Sequence, residues 1–252
     1  MDKFEAIDKV RIYEDRTPGY VELYNPWVGN HSQKNREQMI ATIATISYGN
    51  KESKYPDKLY KKLQELKHSS CFEFLHTAQT SKYDISNSFR HQDFKPYNEL
   101  GLYGGNLTEV DNIFKENAAC FKMKIPIYIA RQLVRHRSFS FLEMSRRYVK
   151  DSKVTFEFIT SLDPDKNSFN ELAVEEYARR IDNGEKPETA RGCIGTDAYT
   201  EMFLFGDAKG LKNFFALRQD AHAQADIREL SSAMLKLLEQ QQPELYKSSY
   251  ET

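Results

Sequence analysis

PIYIARQLVRHRSFSFLEMSRRY, residues 126–148, holds two patterns that meet at its centre. A proline opens it, and Ile127, Ala130, Leu133 and Val134 then form an apolar stripe at helical spacing. Arg131 and Arg135, four apart, share another face, and a cation near a helix carboxyl end is well placed. The chain then leaves the helix through Arg137, Ser138 and Ser140. Arg131, Arg135, Arg137, Arg146 and Arg147 fall within seventeen residues of a chain whose net charge is −1. Guanidinium groups are planar, forked and permanently charged, and they match phosphate oxygens. Serine hydroxyls add donors, while Phe139, Phe141 and Tyr148 can anchor the loop or stack on a flat ring. A nucleotide offers both a phosphate and a planar base. A solvated helix end is the ordinary fate of a basic pair. Here interleaved apolar residues predict partial burial, and a buried arginine needs an anionic partner.

Outward from this stretch, strands and helices mix without regular alternation. KVRIYED and GYVELYN alternate apolar and polar residues as half-buried strands, with Pro18–Gly19 as the turn between them. NREQMIATIATIS (35–47) and PDKLYKKLQELK, which opens at Pro56, predict helices. From about Thr77 to Ala119 the chain is rich in Asn, Asp, Gly and Tyr, and reads as an insertion with little regular structure beyond a short helix near EVDNIFKENA. KVTFEFI (153–159) predicts a strand through Val154, Phe156 and Phe158. SFNELAVEEYARRIDNG predicts a helix that starts at a Ser168/Glu171 capping box and stops at Gly184. PETARGCIG reads as a helical turn and AYTEMFLFG as a strand. DAKGLKNFFALR reads as a helix capped by Asp207, and HAQADIRELSSAMLKLLEQQQ as a long helix ended by Pro243. The fold class expected is α+β, a single domain over 1–252 with an insertion at about 77–119.

The charge balance argues against a general nucleic-acid binder, which usually carries a basic excess over one face. Cys71, Cys120 and Cys193 are far apart, with no CxxC, so reduced, buried thiols are expected. No apolar run reaches a membrane span and MDKFEAIDKVRIYED has no signal-type core, so the expected compartment is the cytoplasm. No dinucleotide glycine motif, phosphate loop or GxSxG elbow is present, and the six histidines show no metal spacing. His68 and His76 read as ordinary structural histidines. His222 lies four after Arg218 and would share its face if one helix ran through both, for which structural and functional readings stand about even.

The pattern R-H-R-x-x-S-x-N-E-x-S-x-R-Y is the signature of flavin-dependent thymidylate synthases, the ThyX type. This chain resembles it through Arg135, His136, Arg137, Ser140, Glu143, Ser145, Arg147 and Tyr148, with Leu142 in place of the usual Asn. GYVELYN looks like the family's first strand. IATISYG is similar to its A-R-V-S-Y/F segment and HSSCFEF to H-E-T-P-F-E-H. TARGCIG carries Arg191, and NFFALRQDAHAQADI resembles N-F-x-x-L-R-x-x-x-H-A-Q-x-E-I. The departures are Phe74 for the last His of F-E-H, Asp207 and Lys209 for Asn and Arg, and Ala225–Asp226 for Trp-Glu.

The resemblance implies an α+β fold with a central, mostly antiparallel sheet flanked by helices. It implies the reductive methylation of dUMP to dTMP, with methylenetetrahydrofolate as carbon donor and FAD, reduced by NADPH, as hydride donor. Arg218 would be catalytic, and Gln132, Arg135, Glu143, Ser145, Arg146, Arg147 and Arg191 would bind dUMP. Ser47, His68, Ser70, Arg135, His136, Arg137, Glu143, Asp207, Lys209, Asn213 and His222 would contact FAD. No metal or cysteine nucleophile is implied, and self-association into a homotetramer is. Two alternatives remain: a variant acting on another pyrimidine deoxynucleotide such as dCMP, and a catalytically silent nucleotide- or flavin-binding homologue.

Overall fold

A computed structural model of the chain describes residues 4–24, 33–48, 53–72, 74, 118–145, 156–161 and 164–246. Among these residues five antiparallel strands form one sheet in the order β1-β2-β3-β5-β4. The strands are β1 (Ala6–Ile12), β2 (Gly19–Tyr24), β3 (Ala118–Pro126), β4 (Ser140–Glu143) and β5 (Tyr199–Asp207). The helices are α1 (Gln33–Thr45), α2 (Pro56–Glu65), α3 (Ser69–Phe72), α4 (Ile127–Leu133), α5 (Pro164–Asp182), α6 (Pro187–Ala190), α7 (Ala208–Arg218), α8 (Ala225–Gln241) and α9 (Pro243–Tyr246). The antiparallel sheet with flanking helices is the α+β arrangement expected.

Side chains leave a strand alternately to its two faces, and this period divides the core. On one face Val21, Leu23, Phe121, Met123, Ile125, Met202 and Leu204 pack with residues of α4, α7 and α8. On the other, Cys120, Phe203 and Phe205 meet Met39, Ile40 and Ile43 of α1, Leu63 of α2 and Phe72 of α3. A third, smaller cluster joins Phe156, Tyr177 of α5 and Ala190 of α6.

Strand β3 lies at the centre of the sheet, yet no strand was expected there. Phe121, Met123 and Ile125 alternate with Lys122 and Lys124, so the period-two signal exists. It falls between the composition-biased stretch, whose last two residues prove to be strand, and the helix after Pro126. The rest of that stretch, 77–117, including all but the last residue of EVDNIFKENA, lies outside the described residues. The lysines find acids: Lys122 pairs with Glu201 of β5 at 3.2 Å, and Lys124 with Glu157, outside the sheet, at 2.6 Å.

Other boundaries also differ. Residues 156–161 form only an isolated bridge, Phe158 to Ala198, in place of the strand expected over 153–159, of which 153–155 lie outside the described residues. Phe156 turns instead onto Tyr177, edge to face at 5.0 Å. Helix α5 begins at Pro164, so Ser168 is interior and the Ser168/Glu171 capping box does not form. Its stop at Gly184 does, with φ at 85°, the left-handed conformation that glycine adopts without penalty. The long C-terminal helix starts at Ala225 rather than His222. Of the thiols, Cys71 and Cys120 are buried and Cys193 is intermediate.

Phe203 touches the rings of Phe4, Tyr24 and Phe74 and is 1% exposed. Truncating a buried Phe removes transfer free energy and leaves a cavity. Phe203→Ala should therefore destabilise the protein by about 3–5 kcal/mol, read from urea unfolding midpoints.

Candidate active site

Within the arginine-rich stretch, 127–133 form helix α4 and 140–143 strand β4. Helix α4 ends at Leu133, and the backbone N–H of His136 donates to the Leu133 carbonyl (2.9 Å), that of Phe139 to the His136 carbonyl (3.1 Å). These bonds close a turn that reverses the chain into β4. Phe139 holds the turn to the body of the protein. A Cβ on Gly206 would lie 2.6 Å from its ring, and one on Gly210 would lie 2.8 Å from the Ser138 hydroxyl. Only the missing side chains of two glycines let the loop approach this closely.

Asp207 sits between those glycines and caps α7, accepting from the Gly210 N–H at 2.6 Å. Helix α7 then runs from the seat of Phe139 to Arg218 in its last turn. Arg218 Nε donates to His136 Nε2 at 3.0 Å. The imidazole also stacks on Phe139, with centroids 5.9 Å apart, and meets the edge of Phe214 at 5.1 Å. Burial, and then the charge of Arg218, lower the His136 pKa. A ring that accepts at Nε2 carries its proton on Nδ1, and the depressed pKa keeps it neutral.

Around this pair the cations are unspent. Arg131, Arg135 and Arg137 are exposed, and no carboxylate pairs with them among the described residues. Val134 and Leu217 beside them are exposed apolar residues. This combination suits an anion carrying a flat, apolar ring. Gln132 faces an open cleft of about 810 Å³, also lined by Arg16, Tyr128, Lys166, Gln224 and Asp226. Its amide donates to Gln224 Oε1 at 2.6 Å.

The other expected site residues are distributed unevenly. Ser47 is half-buried in a short 3-10 turn (Ile46–Tyr48) packed against β4, and exposed Ser70 is on α3, which also reaches β4. His68 is exposed at the entry to α3, and its carbonyl accepts from the Cys71 thiol. Glu143 is exposed at the end of β4, and Ser145 half-buried just beyond it. Lys209 and Asn213 are exposed on α7. Arg191 is exposed and folds back on the Glu188 carbonyl. Arg146, Arg147 and Tyr148 lie outside the described residues. His222 and Arg218 are not on one helix: α7 ends at Arg218, and exposed His222 pairs with Asp220 at 2.8 Å. Gln224, Tyr128 and Asp226 were not singled out for the site, although Tyr128 precedes Gln132 by one helical turn.

Two of the departures meet in one place. Phe74, fully buried, approaches the rings of Phe203 and Phe205 at 6.3 Å each. Leu142 pairs across the sheet with Phe203 and packs into the same cluster. An imidazole and an amide at these positions would face phenylalanine rings, so the two changes are mutually consistent.

Residues 108–244 match the family described as thymidylate synthase complementing protein. That is more than half of the chain, and the protein belongs to this family. Among curated relatives, the flavin-dependent thymidylate synthase of Thermotoga neapolitana is 32% identical over 150 residues, covering 54% of this chain and 68% of the relative. That of Kosmotoga olearia is also 32% identical over 150 residues, covering 51% and 65%, so the match spans about two thirds of each relative's length. A solved structure of the flavin-dependent thymidylate synthase ThyX from Helicobacter pylori, complexed with FAD and dUMP, matches at 22% identity with a TM-score of 0.47, over 52% of this chain and 72% of that one.

Two outcomes follow from the geometry. In Gly206→Ala the new methyl meets a ring held between Phe141 and Phe214, so stability should fall by about 1–3 kcal/mol, and Phe139→Leu in the same chain should return part of it in a double-mutant cycle. Because the folded protein resists protonating His136, the unfolded chain takes up the extra proton first as pH falls. His136 thus costs no stability above its unfolded pKa of about 6.5, and an increasing amount below it. The unfolding midpoint should drop more between about pH 7.5 and pH 5 in the parent protein than in His136→Gln.

Proposed function

We propose that this protein is a flavin-dependent thymidylate synthase that converts dUMP to dTMP with methylenetetrahydrofolate as carbon donor and NADPH as reductant. The observation that carries the proposal is the coincidence of the family match with the Arg218–His136 assembly, set beside three exposed arginines that meet no carboxylate among the described residues. Bound FAD, once reduced, supplies the hydride. The exposed guanidiniums of Arg135 and Arg137, with Val134 and Leu217, form a donor set that fits the phosphates and rings of such a cofactor.

Pyrimidine C5 must become electron-rich to attack the carbon donor. A guanidinium beside the ring stabilises the negative charge that develops on N3 and the carbonyls. Arg218 has this role, and neutral His136 directs it by accepting from Nε, with the terminal nitrogens left without partners among the described residues. Gln132, Arg135, Glu143, Ser145, Arg146, Arg147 and Arg191 hold the nucleotide. Ser47, His68, Ser70, Arg135, His136, Arg137, Glu143, Lys209, Asn213 and His222 surround the flavin. Asp207, whose Oδ1 caps α7, also contributes to the flavin site. The chain acts as a single domain in a cytoplasmic homotetramer; no helix among the described residues is long and apolar enough to cross a membrane.

Anaerobic turnover with NADPH, methylenetetrahydrofolate and dUMP should yield dTMP from a yellow protein. Arg218→Ala should lose about a hundredfold or more in kcat while retaining flavin absorbance. Product from dCMP alone, a colourless inert protein, or normal turnover by Arg218→Ala would each refute the reading.

A further inference from the structure

Beside the arginine site lies a buried polar network that the reaction as proposed does not use. Asp226, in the first turn of α8 and 9% exposed, has both carboxylate oxygens engaged. Oδ1 accepts from the Arg16 guanidinium at 2.5 Å and Oδ2 from the Tyr128 hydroxyl at 2.5 Å. Its backbone carbonyl accepts from the Tyr13 hydroxyl at 3.1 Å. The Tyr13 N–H donates to Glu229, one turn further along α8. Tyr13 is fully buried with φ at 58°, a left-handed conformation that a tyrosine holds only when its surroundings impose it. The β1–β2 turn, α4 and the start of α8 are therefore tied together at one carboxylate, favoured there by the positive end of the helix dipole.

The position of this knot is informative. Tyr128 and Gln132 are four apart on α4 and share a face. Asp226 follows Gln224 by two residues, and Gln224, the residue before α8, makes no side-chain cap to its own helix. The network thus grips both elements next to the two amides that bond each other at 2.6 Å. That bond uses the Gln132 donor and the Gln224 acceptor. The Gln132 carbonyl oxygen and the Gln224 nitrogen are left without protein partners among the described residues, and both residues line the cleft. Burial, and then Asp226, raise the Tyr128 pKa, so the phenol remains a donor through the working range.

We propose that Asp226, acting through Tyr128 and Arg16, is the positioning residue that sets the Gln132–Gln224 amide pair for nucleotide binding. The inference rests on the reading of Gln132 as a nucleotide contact. Neither Asp226 nor Tyr128 takes part in the chemistry; they fix the direction in which the amides point.

The test is Tyr128→Phe, which deletes one hydroxyl and keeps the ring, together with Asp226→Asn. One hydrogen bond's worth of preorganisation corresponds to roughly three- to tenfold. The KM for dUMP should rise by about that factor in Tyr128→Phe and by more in Asp226→Asn. Both kcat and flavin absorbance should hold, and crystal structures of the variants should show Gln132 displaced from Gln224. An unchanged KM, equal losses in kcat and kcat/KM, or an intact amide contact in Tyr128→Phe would overturn the inference. A parent protein that fails to turn over dUMP refutes the thymidylate reading instead. The amide geometry in the variant crystals then decides the positioning role by itself.

Discussion

Strand β5, Tyr199–Asp207, is hydrogen-bonded along both edges and covered on both faces, and the rest of the fold takes its place from it. Its pairing with β3 fixes the centre of the sheet, and its pairing with β4 ties Ser140–Glu143 of the arginine-rich stretch to the sheet as a partly exposed edge strand. Met202 and Leu204 point into one hydrophobic cluster, Phe203 and Phe205 into the other. Its last residues change function without a break. Gly206 receives the ring of Phe139, and Asp207 ends the strand and caps α7. A one-residue slip of β5 would send the phenylalanines to the wrong face and put a side chain where Phe139 sits. Sheet register and site geometry are thus one constraint.

The parts of this arrangement written in local pattern were legible in the sequence. The β1–β2 hairpin, α1, α2, β5, the Asp207 cap and the Gly184 stop each follow from a short-range rule. Where tertiary contacts decide, the local rules mislead. FEF alternates like a strand, but Phe156 packs edge to face on Tyr177, and among the described residues this segment pairs only through the Phe158–Ala198 bridge. Ser168 and Glu171 have capping-box spacing, but Pro164 offers an earlier start with φ already suited to a helix. For the site, charge density marked the arginine-rich stretch, whereas the catalytic role of Arg218 came from the family resemblance alone. The contact between His136 and Arg218, 82 residues apart, was not legible. Nor was the amide pair of Gln132 and Gln224, since a half-exposed glutamine carries no local signal.

Departures from the family pattern are also better judged in three dimensions. Leu142 and Phe74 are isolated oddities in the sequence. In the fold both abut Phe203, one through strand pairing and one through ring contact. Apolar packing against Phe203 stands where the family pattern would place polar side chains.

The arginines divide by what they cost. Arg16 is partly buried and has its partner in Asp226; Arg179 and Arg180 share Glu176 on the surface of α5. An arginine taken out of water without an anion would be expensive, and Arg16 avoids that cost at 2.5 Å. Arg131, Arg135 and Arg137 are exposed and meet no carboxylate among the described residues; in water a guanidinium without a partner costs little. Their value lies in remaining unpaired, because a carboxylate within reach would compete with any phosphate they meet. Arg218 is intermediate: half-buried, it donates to a neutral imidazole rather than an acid. An imidazole acceptor orients the guanidinium without cancelling its charge. Protonation would turn that acceptor into a second cation, so the same burial that depresses the His136 pKa preserves both the direction and the full charge of Arg218.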